Sequence, residues 1–88
     1  LVEEPSPTPY HQGIGTRLGA FILNHLRDNG IKGEVFASPL DVYFEDKETF
    51  QPDVIYISEE RLNIIKEKNI QGAPDIVIEV LSPLNSLL

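Results

Sequence analysis

The apolar positions in the first third of the chain follow the repeat of an amphipathic helix. They recur at intervals of mostly three or four residues and are Ile14, Leu18, Phe21, Ile22 and Leu26. Thr8 followed by Pro9 is typical of an N-cap with proline in the first turn, and Asn29 followed by Gly30 is typical of a helix end. The pattern predicts a helix from about Pro9 to Asn29 with one stripe against a core.

Shorter runs rich in β-branched and aromatic residues follow this helix and predict strands. The first two, residues 34–37 and 40–44, are separated by Ser38 and Pro39. We expect them to form an antiparallel meander with the strand after them. That strand, residues 52–58, is more strongly apolar and has proline at its first position, where a missing backbone donor matters least.

The last third of the chain predicts one more helix and one more strand. Residues 59–68 carry acids in their first turn and a charged outer side, so we expect a short helix there. The last apolar run, residues 72–83, lies between punctuation residues and predicts a buried central strand. The order is α-β-β-β-α-β, which predicts an α+β fold of α/β sandwich type, with the long N-terminal helix packed on a mixed β-sheet.

The size of the chain limits its core. Its 88 residues suit one small domain, residues 1–88, which we expect to belong to a longer protein. A core of this size is only marginally stable by itself, so a homodimer is a reasonable expectation.

Charge and composition exclude several classes of protein. A net charge of -7 argues against nucleic-acid binding through a broad basic face, but it does not exclude a nuclease whose acids hold a metal ion. The chain has no cysteine, which excludes disulfides and thiolate metal sites. No apolar stretch approaches the roughly 20 residues that span a bilayer. We therefore expect a cytoplasmic protein that does not enter a membrane.

Some residues of the predicted first helix are unusual for a helix. Its glycines, each unfavourable by up to about 1 kcal/mol relative to alanine, suggest close packing of this helix and are Gly13, Gly15 and Gly19. His11 and His25 lie near its two ends. The simplest interpretation makes both histidines partly exposed polar side chains, and a protonated His25 also complements the helix dipole.

Glu79 does not fit a buried strand. An unpaired carboxylate there would cost several kcal/mol or take up a proton. Asp53 begins the other strongly apolar strand, so the two acids approach each other if these strands are close in the sheet. Two neighbouring carboxylates need a proton or a cation between them, and Mg²⁺ is commonly bound by one or two carboxylates with water and phosphate.

Simpler roles stay open for the same acids. An acid at the first position of a strand, like Asp53, commonly caps a turn, and Glu79 could accept hydrogen bonds from backbone N–H groups or pair with an arginine. Asp75, which follows a proline, is expected to be a turn acid. Asp41 and Glu34 are additional candidate ligands from the expected meander.

Two long motifs resemble a known family. They are QPDVIYIS at residues 51–58 and GAPDIVIEVLSP at residues 72–83, and a weaker similarity covers residues 35–42 and the first helix. The chain resembles the restriction endonuclease-like family of the PD-(D/E)xK nuclease superfamily. The resemblance implies a restriction endonuclease-like core in which Asp53 and Glu79 are catalytic and bind Mg²⁺, with Mn²⁺ as an alternative, during phosphodiester hydrolysis.

One position departs from the superfamily pattern. A lysine is expected two residues after Glu79, where it would orient the attacking water, and Leu81 stands there instead. Related sequences of this variant are thought to supply the basic group from a following helix. We expect such a lysine to lie beyond residue 88 if the domain is active.

Three hypotheses follow. The first is a Mg²⁺-dependent endonuclease that hydrolyses DNA, with Asp53 and Glu79 as metal ligands and the Val80 carbonyl as a further ligand. The second is a catalytically inactive nuclease-fold module for dimerisation or protein interaction, which Leu81, the acidic charge and the apolar tail after residue 83 favour. The third is a small α+β domain in which Glu79 is only a satisfied structural carboxylate.

Overall fold

A computed structural model describes residues 8–44 and 48–81 of the chain. The apolar tail that favours an interaction module lies outside these residues. So do most of residues 45–48, which the sequence predicts to be a charged turn before Phe50, and most of residues 1–9, which are rich in proline and predict an extended lead-in.

Helix α1 spans Pro9–Asn29, as the apolar repeat predicts. At its start, the Thr8 hydroxyl accepts a hydrogen bond of 3.1 Å from the His11 backbone N–H. At its end, Gly30 adopts a left-handed conformation with φ of 64°. Both signals are local to the sequence, and both bounds of the helix are therefore confirmed.

The described chain also forms short strands and one 3-10 helix. The strands are β1 (Gly33–Ala37), β2 (Val42–Tyr43), β3 (Thr49–Phe50), β4 (Val54–Ser58), β5 (Ile70–Gln71) and β6 (Ile76–Ile78). Where we expected a helix over residues 59–68, a 3-10 helix spans Glu59–Ile64. The long helix packed on small mixed sheets confirms the predicted α+β class.

The strands pair in two small sheets rather than in one meander. The first has the order β1-β4-β6, and both of its pairs are antiparallel. The second has the order β3-β2-β5, with β2 antiparallel to β3 and parallel to β5. The predicted meander of neighbouring strands is therefore wrong. The long apolar strand β4 offers β1 a partner along its whole length, from Gly33 opposite Ser58 to Ala37 opposite Val54.

Strand β4 connects the layers of the fold. Its residues Ile55 and Ile57 are buried with Val42 of β2 and Ile70 of β5 in one cluster, so this face of β4 meets the second sheet. On the opposite face of β4, Tyr56 lines a cavity together with Leu26 of α1. The core therefore holds β4 between the helix and the second sheet, and this fixes the position of the residue that precedes the strand.

The last strand is not the buried central strand that its β-branched run predicts. Within the described part of the chain, β6 lies at the edge of its sheet and β4 is the central strand. Ile76 is 46% exposed and Val77 is 41% exposed. Glu79 is also exposed and follows the strand instead of lying inside it. The expected burial of Glu79 is therefore wrong, because among the described strands β4 alone pairs with this segment.

Candidate functional site

Asp53 lies immediately before β4, at the point where three strand segments meet. Its backbone carbonyl accepts a hydrogen bond of 3.0 Å from the Ser38 N–H, beyond the end of β1. Its own N–H donates to the Ile78 carbonyl of β6 at 3.1 Å. The backbone of Asp53 is thus tied to both neighbouring segments, and its side chain is only 15% exposed.

The Asp53 carboxylate meets the segment that follows β6. Its Oδ2 atom accepts a hydrogen bond of 2.6 Å from the Val80 N–H. Hydrogen bonds to an ionised carboxylate are short and stronger than those between neutral groups. This bond fixes the direction of the Asp53 side chain and brings Val80, one of the predicted ligands, into the site.

His11 completes the cluster from the first turn of α1. Its Nε2–H donates to the Val80 carbonyl oxygen at 2.8 Å, and the same nitrogen lies 3.6 Å from Asp53 Oδ2. The imidazole is 23% exposed. The site therefore gathers a carboxylate oxygen, a main-chain carbonyl oxygen and an imidazole nitrogen from three distant parts of the chain.

His11 was not among the site residues predicted from the sequence. A signal was present, because His11 lies three residues before Ile14 and seven before Leu18, so it continues the apolar stripe of α1. A polar residue on the stripe that faces a core needs a partner there. The partners are Val80 and Asp53, and their approach depends on folding of the whole chain.

Glu79 lies at the same end of the sheet as Asp53. The last pair between β4 and β6 joins Val54 with Ile78, so Asp53 and Glu79 occupy the next position on each side. Both predicted acids therefore lie at one sheet end, with the Asp53 side chain largely buried and Glu79 exposed to solvent.

The other candidate acids lie elsewhere. Asp75 is at the opposite end of β4, where its Oδ2 accepts a hydrogen bond of 2.6 Å from the Ser58 N–H. Its Oδ1 lies 3.2 Å from Arg61 Nε. The Ser58 N–H, with further help from Arg61, lowers the pKa of Asp75 below its usual value. Asp41 accepts a hydrogen bond from the Gln51 side chain, so neither acid joins the Asp53 cluster.

The donors of this cluster fit a small divalent cation. No group of three or more His, Cys, Asp or Glu side chains is arranged for a metal within the described ranges, so side chains alone do not complete a site there. The cluster does combine a carboxylate with a main-chain carbonyl, which hard cations accept together with water. A carboxylate has about four lone-pair sites, and the bond from Val80 leaves Asp53 capacity for a cation.

Leu81 occupies the position where the superfamily pattern has lysine. Its side chain is 82% exposed. The structure therefore places an apolar side chain in solvent next to the candidate site.

None of the helices in the described ranges is long and apolar enough to cross a membrane.

Comparison with known proteins gives the family. No curated protein matches the chain significantly. The family model Uma2, whose description is "Putative restriction endonuclease", matches residues 1–87. This match covers both motifs, the helix that carries His11 and the strands next to which Asp53 and Glu79 lie. Because the match spans nearly the whole sequence, the chain belongs to the Uma2 family of restriction endonuclease-like proteins.

Proposed function

We propose that this protein is a metal-dependent nuclease that hydrolyses phosphodiester bonds of DNA. Asp53, Glu79 and the Val80 carbonyl hold the cation, which is Mg²⁺ or Mn²⁺. The observation that carries the proposal is the contact of the Asp53 carboxylate with Val80, at the sheet end where the register also places Glu79. Membership of a restriction endonuclease-like family supports the nuclease class and a divalent metal.

Each residue has a distinct task in this proposal. Asp53 is the rigid ligand, because its backbone is tied to Ser38 and Ile78 and its carboxylate to Val80. Glu79 is the exposed ligand, so its carboxylate is accessible to a cation that arrives from solvent. A divalent cation supplies Lewis-acid polarisation of the phosphate and a water-derived nucleophile at neutral pH.

The charge of the protein explains why the reaction would depend on a cation. The net charge of -7 repels a polyanion, and two acids at one sheet end add to this locally. A bound divalent cation reverses the local charge and gives a phosphate a partner. Leu81 supplies no positive charge at the position where the superfamily pattern has lysine, so a side chain at this position does not assist the cation.

Cleavage of supercoiled plasmid DNA tests the proposal. We expect nicking by the wild-type protein in Mg²⁺ or Mn²⁺ and none in a chelator. The Asp53→Asn variant should lose about 100-fold or more, because metal polarisation is worth several kcal/mol of the barrier. Asp28→Asn is the matched control, since Asp28 is exposed beside Arg27 at the far end of α1.

The plasmid assay also separates the alternatives. A folded wild-type protein that binds no divalent ion and leaves the plasmid intact would contradict the proposal. That result would favour the catalytically inactive interaction module. The homodimer and the cytoplasmic location stay predictions, and sedimentation equilibrium of the purified protein tests the first of them.

A further inference from the structure

The His11 imidazole lies close to the proposed metal site but has no role in the proposal so far. His11 Nε2 is directed at the two oxygen atoms of the site, 2.8 Å from the Val80 carbonyl and 3.6 Å from Asp53 Oδ2. Both are groups to which the proposal gives the cation. Ligands that share one octahedral ion at about 2.1 Å lie about 3 Å apart when they are neighbours. The distances from His11 Nε2 to these two oxygen atoms are therefore close to the distances between ligands of one ion.

The position of His11 is fixed by elements that do not involve the site. Its backbone N–H caps onto the Thr8 hydroxyl at 3.1 Å, and Gln12 N–H donates to the Thr8 carbonyl at 2.9 Å. The first turn of α1 is thus held by its own cap. The imidazole is consequently presented to the end of β4 by the helix, and not only by its contact with Val80.

Resting on the proposed nuclease site, we propose that His11 Nε2 is a nitrogen ligand of the same cation. The donor set then contains one imidazole beside the carboxylates and the carbonyl. Imidazole suits transition ions, whereas Mg²⁺ and Ca²⁺ favour oxygen. An imidazole in the donor set accordingly shifts the preference of the site away from Mg²⁺ and towards ions that accept nitrogen, and Mn²⁺ serves as its paramagnetic probe.

A change of tautomer accompanies binding. The hydrogen bond to the Val80 carbonyl requires a hydrogen on Nε2, whereas a ligating nitrogen must present its lone pair. The hydrogen is then carried by Nδ1, and cation binding replaces the His11–Val80 hydrogen bond. A purely structural histidine would keep that hydrogen bond in the presence of metal.

Pulsed electron paramagnetic resonance of bound Mn²⁺ distinguishes the two roles. We expect ¹⁴N modulation from a directly bound imidazole in the wild-type protein, and its conversion to the ¹⁵N pattern after labelling with ¹⁵N-histidine. The His11→Gln variant should lose the modulation, and its Mn²⁺ affinity should fall by about 10-fold or more. His25→Gln is the matched control, because His25 is exposed at the other end of α1 and should leave the spectrum unchanged.

The outcomes separate this inference from the function on which it rests. Mn²⁺ that binds to the wild type without ¹⁴N modulation overturns the role of His11 and leaves the oxygen site intact. A wild-type protein that binds no Mn²⁺ overturns both. Because the labelled wild-type protein decides the question, the result stands even if His11→Gln fails to fold.

Discussion

The backbone N–H of Val80 donates to the Asp53 carboxylate at 2.6 Å, across 27 positions of sequence. This bond joins the start of the central strand β4 to the residue that follows β6 beyond Glu79. One carboxylate thereby closes the end of the sheet and holds the segment that carries the second predicted acid. Asp53 therefore has two roles. Its hydrogen bond with Val80 stabilises the structure, and the negative charge of its carboxylate is available at the candidate site.

Substitutions of Asp53 should separate these two roles. Asp53→Ala leaves the Val80 N–H without its acceptor and should lower the free energy of unfolding by about 1–3 kcal/mol. Asp53→Asn keeps an acceptor oxygen, so it should cost less stability while it removes the charge that binds metal. Urea unfolding of both variants measures the difference. Equal losses for Ala and Asn would contradict a specific role of the carboxyl group as an acceptor for Val80.

Asp75 lies at the opposite end of β4, and its interactions there should make the stability of the protein depend on acid. The Ser58 N–H, together with Arg61, lowers the pKa of Asp75 in the folded state below its usual 3.8. A lowered pKa stabilises the fold above the unfolded-state value, and this contribution is lost as the pH falls through the folded-state value. Unfolding midpoints should therefore fall more steeply with acid in the wild type than in Asp75→Asn. Parallel curves over that range would contradict the assignment, and Asp28→Asn should follow the wild type.

Gly19 of α1 is a site where alanine should stabilise the protein. A Cβ atom there meets no described heavy atom within 4 Å, although the residue is buried. Gly19→Ala should raise the free energy of unfolding by up to about 1 kcal/mol, because alanine is the better helix former. Gly30→Ala is the contrasting variant and should destabilise, since Gly30 has a φ of 64°. Thermal unfolding measures both, and a lower melting temperature for Gly19→Ala would show that the helix requires the glycine for close packing.

A Leu81→Lys substitution would place a positive charge where the superfamily pattern has one. Because its side chain is 82% exposed, Leu81→Lys should change the free energy of unfolding by no more than about 0.5 kcal/mol. If the proposed nuclease site is correct, an ammonium group beside it should raise the rate of plasmid nicking by about 10-fold or more by stabilising developing charge. Leu81→Gln is the uncharged control. Equal nicking by the two variants would mean that this position does not face the reacting phosphate.

Local sequence signals predicted the helix correctly. The pairing of the strands was predicted wrongly, because it depends on contacts between residues that are far apart in the sequence. Thr8 and Gly30 act on their own helix, so both ends of α1 are readable from the sequence. The partner of β1 is set by the length and burial of β4, which a neighbouring pair of short strands does not reveal. A β-branched run is the same in an edge strand as in a central one, and for this reason the exposure of Ile76 and Glu79 was not foreseen.

For the candidate site, too, residues in sequence motifs were predicted and a contact between distant residues was not. Asp53 and Glu79 could be named from their motifs, and the register then places them at one sheet end. His11 was not named, because its contact with Val80 crosses 69 positions of sequence. Its place on the apolar stripe of α1 was a signal, but it did not indicate which residues would meet the imidazole. The expected burial of Glu79 is wrong, although its motif and its place at the same sheet end as Asp53 do not depend on burial.

Calorimetric titration of Mn²⁺ and Mg²⁺ into the wild-type protein and Glu79→Gln tests the central claim most directly. Glu34→Gln is the matched control, since it removes an exposed glutamate from β1, opposite Ile57 and away from the site. We predict binding by the wild type and the control, and a loss of about 10-fold or more in Glu79→Gln. Unchanged affinity in Glu79→Gln would contradict the account of a cation held between Asp53 and Glu79.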